Sequence, residues 1–431
     1  MHRDHLRDQE NSSRPSIRSR SFRFNAQVGK WNLPNPMAAI GTKYARLMAK
    51  DRAIALSQRK LLFLTRTFEY GGAEKHLIDV LNHLHQSGLR ISIVCFQTDE
   101  YSARVSRDLD ITVTSIPLPP NSLFAWFSFF RQLRPDVVVF VYGWSWCFHW
   151  IAPIGAWLAG ISKRYAIQHL VVPAATRSPL AQQMRKLLRH ANLKLSAFLL
   201  NKTICVSDAV RNSLVGDFGF PRKKLITIRN GVSPVTFAPS MEDGLCLRRE
   251  LGIGPDEFVL ICVARLSKQK DVDILLNAIA KVRRDGIQCK CMILGDGPLR
   301  SELTELTQHL DLNGTVFFEG FQEEVRPYLQ AGSAFILTSH NEGLPLAILE
   351  AAACGLPCIV TDVGGNTEIV THGVNGLVVR AGSVGEVADA ISFLATHPDE
   401  RQQMSGRARR KIQEDFDIEK SMSEIKGIIS R

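Results

Sequence analysis

The segment NEGLPLAILE sets two carboxylates, Glu342 and Glu350, at either end of an apolar run. A buried carboxylate without a partner is costly, so it finds one or gives up its charge. These two therefore either lie on a solvated edge or meet hydroxyls or positive charge. Pro345 suits the first turn of a helix and Gly355 its C-terminal stop. Glu342 then sits in the loop at the positive end of that helix, and Glu350 lies about two turns on. Both can line one wall of a cleft. There the amides of Gly343 and Leu344 would face an anion, Glu342 would accept bonds from sugar hydroxyls, and Glu350 from a ribose diol. The competing reading is a capped helix with one exposed glutamate.

Other reactive residue types fall at comparable places. Arg265 and Lys270, in ARLSKQKD, follow the apolar LICVA. Two cations between a strand end and a helix start suit a phosphate or diphosphate, although alone they are equally ordinary surface charge. After PCIVTD comes VGGNTEIV, where Gly364 and Gly365 let backbone approach a ligand and Glu368 opens a helix. Gly71-Gly72 follows KLLFLTR, and His169 ends RYAIQHL. Alone, His169 reads as a satisfied core or edge histidine; facing a cleft, it is a polar substrate contact.

What positions these residues is a strand–helix alternation from residue 60 onward. The sequence predicts strands at KLLFLTR, ISIVCF, ITVTSIP, DVVVFV, RYAIQHL, KTICVS and LITIRNG. It predicts helices after Gly72, around 122 to 133 and from about Leu180 to Leu200. Residues 233 to 257, with Pro234, Pro239 and Pro255, break the rhythm and read as a linker. Strands then recur at FVLICVAR, KCMILGDG, TVFFEGF, AFILTS, PCIVTD and GLVV, with helices at 271 to 284, 298 to 310, 345 to 354 and from about 366. Such alternation builds βαβ units and parallel sheets. The expected fold is α/β: two doubly wound Rossmann-like domains facing across a cleft at the C-terminal edges of their sheets. The expected divisions are a basic extension 1–57, a domain 58–235, a domain 236–415, and a final helix 416–431.

Composition narrows the class. At 431 residues the chain exceeds one core, and 45% hydrophobic with 22% charged residues is ordinary for a globular enzyme. Of the net charge of +11, residues 1 to 57 supply +7, with 11 Lys+Arg against 4 Asp+Glu. The body is thus not basic enough to read as a nucleic-acid binder. The start, MHRDHLRDQENSSRPSIRSRSFRF, has no apolar leader segment and is expected to be disordered, or untranslated if Met37 or Met48 is the true start. The nine cysteines form no CxxC pair and read as reduced, mostly buried thiols of a cytoplasmic protein. Residues 136 to 161 are long and apolar enough to invite a membrane-span reading. The β-branched run, Gly143 and Pro153 favour a buried strand followed by a buried helix.

Taken together, the sequence resembles the family 4 (group 1) retaining glycosyltransferases of GT-B fold. The resemblance spans nearly everything after residue 58. It rests on Gly71-Gly72 with Ala73-Glu74, His169, Val206-Ser207, Asn230-Gly231-Val232, Arg265 with Lys270, Gly295-Asp296-Gly297, Gly320-Phe321, Glu342-x7-Glu350, and Asp362-Val363-Gly364-Gly365 with Glu368. The resemblance implies a hexosyltransferase that moves sugar from a nucleoside diphosphate donor, UDP by preference, to a glycan or lipid-linked acceptor in polysaccharide or lipopolysaccharide synthesis. It implies catalytic roles for His169, Arg265, Lys270 and Glu342. The donor would meet Gly72, Arg265, Lys270, Gly297, Phe321, Glu342, Gly343, Leu344, Pro345 and Glu350; the acceptor side would comprise Gly71, Gly72 and His169. No metal or cofactor is expected. Asp271 departs from the family, where glycine is common. Asp271-Val272-Asp273 mimics a metal-binding DxD but reads as helix capping, and His340 beside Glu342 lacks the spacing of a metal site. A UDP-sugar epimerase, a non-catalytic nucleotide-sugar binder and an NAD oxidoreductase are the alternatives. The last lacks G-x-G-x-x-G at the first turn.

The stretch Arg177, Arg185, Lys186, Arg189, His190 and Lys194, set among leucines, reads either as a solvated face or as a surface for anionic lipid at the inner face of the membrane. Flotation with anionic liposomes separates these: equal binding by wild type and by a variant carrying Glu at Arg185, Lys186 and Arg189 removes the lipid reading.

Overall fold

The computed structural model describes residues 59–68, 71–98, 108–109, 111–115, 122–142, 151–171, 191, 194–195 and 197–430. The extension 1–57, most of the loops 98–108 and 171–182, and Arg177, Arg185, Lys186, Arg189 and His190 lie outside the described residues.

The first half carries β1 (Lys60–Leu64), β2 (Thr67–Phe68), β3 (Arg90–Cys95), β4 (Gln97–Thr98), β5 (Thr112–Ser115), β6 (Val137–Tyr142), β7 (Lys163–Gln168), β8 (Lys202–Cys205) and β9 (Leu225–Thr227). The second carries β10 (Val259–Val263), β11 (Lys290–Leu294), β12 (Val316–Gly320), β13 (Ala334–Leu337), β14 (Cys358–Thr361) and β15 (Gly376–Val379). They form a seven-stranded sheet in the order β5-β3-β1-β6-β7-β8-β9, a six-stranded sheet in the order β12-β11-β10-β13-β14-β15, and a small β2-β4 pair. All the named strand pairings are parallel. In each large sheet the order reverses once, between β1 and β6 and between β10 and β13. Doubly wound sheets bind ligands at that reversal.

Why the strands read so clearly is visible in β1 and β6. Leu61 and Phe63 join a core with Leu77, Val80, Leu81 and Leu84 of the helix Gly72–His85. Leu62 and Leu64 join the opposite layer with Trp126, Phe129 and Phe130 of the helix Leu123–Leu133. Successive side chains leave opposite faces of a strand, and both faces here are covered by helices. All six residues of β6 are buried for the same reason. The apolar stretch 136–161 therefore resolves into this central strand and the helix Ile151–Leu158. Among the described residues no helix is long and apolar enough to cross a membrane. The eight described cysteines are free, and all but Cys246 are buried.

Two expectations need correction. The region 233–257 is not all linker: it contains the helix Met241–Glu250, whose Ser240 hydroxyl accepts from the amide of Asp243. That helix is fastened to the second half by the buried Arg248. Its guanidinium donates to the carbonyls of Ala331, Gly254, Pro255 and Glu257 and to the Ser333 hydroxyl. Gly244 lets it approach, since an added Cβ would stand 2.3 Å from the Gln330 carbonyl oxygen. Second, Pro345 stands one residue ahead of the helix Leu346–Ala353, in extended conformation (ψ 123°). Gly355 does end that helix, at φ +82°. The helix expected from about 366 begins at Asn366 and runs to Ile369.

The last helix, Ile418–Ile429, packs against Gly72–His85 of the first half. The return is fastened at Val232, whose amide donates to the Phe416 carbonyl and whose carbonyl accepts from the Ile418 amide.

Candidate functional site

The loops after β10 and β13 are neighbours at the reversal of the second sheet. They are stitched together: the Thr338 hydroxyl donates to the carbonyls of Lys270 and Asp271, the His340 amide to Gln269, and the Gln269 side chain to the Asn341 carbonyl. This sets Lys270, whose Nζ lies 2.5 Å from Glu342 Oε1. Arg265 is exposed at the end of β10. Two glycines flank this loop because its backbone rests on theirs: a Cβ at Gly295 would stand 2.0 Å from the Ala264 carbonyl oxygen, and one at Gly297 2.4 Å from that of Leu266. Phe321, just beyond β12, is half exposed.

Asp271 adopts a left-handed backbone (φ 44°) at the start of the helix Val272–Arg284. That conformation explains why glycine suits the position. The capping role expected of Asp271 is not observed. Its side chain caps nothing and instead meets His340 Nδ1 at 3.0 Å. Among the described residues no group of three or more His, Cys, Asp or Glu could hold a metal ion.

The question raised by the two glutamates has a geometric answer. Both are buried, at 4% exposure each, so the exposed-glutamate alternative fails. Each meets a lysine. Glu342 pairs with Lys270 of its own half, whereas Glu350 pairs with Lys75 of the other half, at 2.6 Å. Burial raises the Glu350 pKa above the ordinary carboxylate value; Lys75 opposes that shift. Asp79, one turn beyond Lys75, is pushed up to about 7, chiefly by burial, with Lys75 opposing and Glu350 adding.

Further contacts close the seam between the halves. An added Cβ at Gly343 would fall 1.7 Å from the His169 carbonyl oxygen, so the second half touches the end of β7 through a glycine. Within the second half, a Cβ at Gly364 (φ +54°) would stand 2.0 Å from the Glu342 carbonyl oxygen and one at Gly365 2.3 Å from that of Gly343. Asn230 donates to the Leu344 carbonyl at 2.8 Å, and Asn341 to that of Val171 at 3.1 Å. Glu368 accepts from the Ala209 amide and from Arg229 Nε, both at 2.9 Å. It thus caps the helix Asp208–Gly216 from across the seam. His169 itself is buried, its ring 5.1 Å from that of His76. Burial, and secondarily His76, hold the His169 pKa well below the usual histidine value, so the imidazole is neutral. Gly71 precedes the helix in extended backbone, and an added Cβ at Gly72 would meet nothing within 4 Å.

The structure thus joins Lys270 to Glu342 and brings Gly343 against His169. Sequence reasoning missed Lys75, Asp79, His76 and Arg229. The available signal was the polar run Lys75, His76 and Asp79 in a helix directly after a glycine turn. A hollow of about 540 Å³, lined by His372, Leu377, Phe393 and Met404 among others, contains none of the expected site residues.

Residues 70–235 match the family model for Glycosyltransferase Family 4, and residues 246–411 that for Glycosyl transferases group 1. The chain belongs to the group 1 (family 4) glycosyltransferases. This glycosyltransferase is 33% identical over 227 residues to the N-acetyl-alpha-D-glucosaminyl L-malate synthase of Bacillus anthracis, covering 52% of this chain and 58% of that protein. It is 27% identical over 278 residues to the UDP-Gal:alpha-D-GlcNAc-diphosphoundecaprenol alpha-1,3-galactosyltransferase of Escherichia coli, covering 64% of this chain and 70% of that one. Its fold is GT-B. The Anabaena protein HepE, solved in complex with UDP and glucose, superposes with a TM-score of 0.72 at 22% identity, covering 86% of this chain and 100% of that one. The chain thus spans less than two thirds of the Bacillus relative's length.

Proposed function

We propose that this protein transfers a hexose-type sugar, with retention, from UDP-sugar to a hydroxyl of a glycan or lipid-linked acceptor in polysaccharide or lipopolysaccharide synthesis. The observation that carries the reading is the placement of Arg265 and the Lys270–Glu342 pair at the reversal of the second sheet. In this mechanism the leaving nucleoside diphosphate gains negative charge as the glycosidic bond breaks. Lys270 exchanges Glu342 for the diphosphate, and Arg265 completes the positive site. Fixed cations in a partly buried cleft stabilise such charge more than water does. Glu342, released from Lys270, accepts bonds from the sugar hydroxyls, and Glu350 from the ribose. Neutral His169 contacts the sugar as a hydrogen-bonding group without adding charge. Gly297, Phe321, Leu344 and Pro345 shape the donor side, and Gly71 and Gly72 the acceptor side. The two cations take the neutralising role, so no metal is required.

UDP as donor is supported by HepE and by the E. coli relative, whose acceptor is lipid-linked. The test is UDP release from a panel of UDP-hexoses with a prenyl-diphosphate-linked sugar as acceptor, in EDTA. The reading expects acceptor-dependent release and an α-configured product by NMR. Conversion of UDP-sugar without acceptor would assign the epimerase reaction instead.

A further inference from the structure

The Lys75–Glu350 pair is unlike the other contacts across the seam, because it joins one half to the carboxylate assigned to the ribose. We infer that Lys75 is a positioning residue for the donor nucleotide: reaching across from the acceptor-side half, it aims Glu350 and holds it ionised, so the ribose site is complete only when the halves touch. The inference rests on the donor reading above.

The geometry supports it at three points. Lys75 Nζ donates to Glu350 Oε1 at 2.6 Å, and among the described residues it is the cation paired with that carboxylate. Glu350 stands at 4% exposure, where burial favours the neutral acid. Of the other titratable groups around it, Asp79 on the helix of Lys75, Glu324 before the helix Arg326–Ala331, and Cys354 after its own helix are acidic, whereas the cations Arg326 and Arg409 act on Cys354 at the end of that helix and Arg409 donates to the Ala353 carbonyl. Third, Lys75 is itself held in place. Its Nζ lies 5.3 Å from the centroid of Phe237, and its helix packs on Leu346–Ala353 and Ile418–Ile429.

The chemistry distinguishes this role from mere bracing. A ribose diol offers two hydroxyl donors, which an ionised carboxylate accepts with both oxygens; a neutral acid offers fewer acceptor sites. Without Lys75, Glu350 would remain buried without its paired cation, so its proton would leave only at higher pH. The loss in nucleotide binding should therefore be greatest at low pH and reverse as pH rises.

The experiment is calorimetric titration of UDP between pH 6 and 9 on wild type, Lys75→Met and Lys75→Arg. Each variant's affinity is taken relative to wild type at the same pH, which cancels the titration of UDP itself. Lys75→Met is expected to bind about tenfold more weakly at the acid end of that range, the order of one hydrogen bond to a charged group, and to approach wild type as pH rises. Lys75→Arg should stay near wild type throughout. Wild-type affinity in Lys75→Met at every pH, or a deficit that does not change with pH, overturns the inference. If the methionine variant does not fold, Lys75→Gln replaces it under the same criteria. A wild type that binds no UDP removes the donor reading and this inference together, whereas a pH-independent result with a UDP-binding wild type removes this inference alone.

Discussion

Lys270→Ala is expected to lower kcat/KM by roughly 10²–10³-fold, the usual cost of removing one fixed donor from a developing anion. Two effects converge. The leaving diphosphate loses a cation supplied from the end of β10, and Glu342 is left at 4% exposure without the partner now 2.5 Å away. Breaking a largely buried pair by deleting one member strands the other's charge. Lys270→Arg keeps the charge with different geometry and should retain more activity than alanine. Steady-state rates with saturating acceptor are the check. An alanine variant within about threefold of wild type would mean that Lys270 serves only to neutralise Glu342.

Gly343→Ala should be nearly as damaging, although it adds one methyl group and removes nothing. The new Cβ would lie 1.7 Å from the His169 carbonyl oxygen and 2.7 Å from its carbon. Both are backbone atoms, so no rotamer change relieves the clash, and the two halves must move apart by more than about 1 Å. Overpacking of this kind costs about 1–3 kcal/mol, and a misplacement of about 1 Å at a reacting centre can cost ~10²-fold in rate. The expected result is a lower melting temperature together with a loss of transfer of that order. Melting temperature and rate both at wild-type values would show that the halves do not meet at Gly343 and His169 in solution.

The fold was legible because each central strand is buried on both faces and therefore appears as an unbroken apolar run, as VVVFVY does. The positions of Arg265, Lys270, Glu342 and His169 beyond strand ends were legible because the strands before them are apolar runs. What was hidden is tertiary. Lys75 and Glu350 are 275 residues apart, and nothing local in GGAEKHLID marks the lysine as the partner of that carboxylate. Gly343 and Gly365 resemble phosphate-loop glycines. Their closest observed neighbours are backbone carbonyls of His169 and Gly343. The helix Met241–Glu250 was masked by flanking prolines, although Ser240 followed by Asp243 is a helix-start signal. Asp271 occupies a cap position with a backbone too left-handed to use it.

The proposed nucleoside diphosphate site on the second sheet is built from Lys270, Glu342 and Glu350. Thermal shift with UDP, GDP, ADP, CMP and NAD, on wild type, Lys270→Ala and Glu350→Ala, tests it most directly. At 100 times its dissociation constant a ligand adds about 2.7 kcal/mol to stability. UDP is expected to stabilise wild type, and both variants are expected to lose the effect. Stabilisation by NAD alone, or a UDP effect that survives both substitutions, would contradict that assignment.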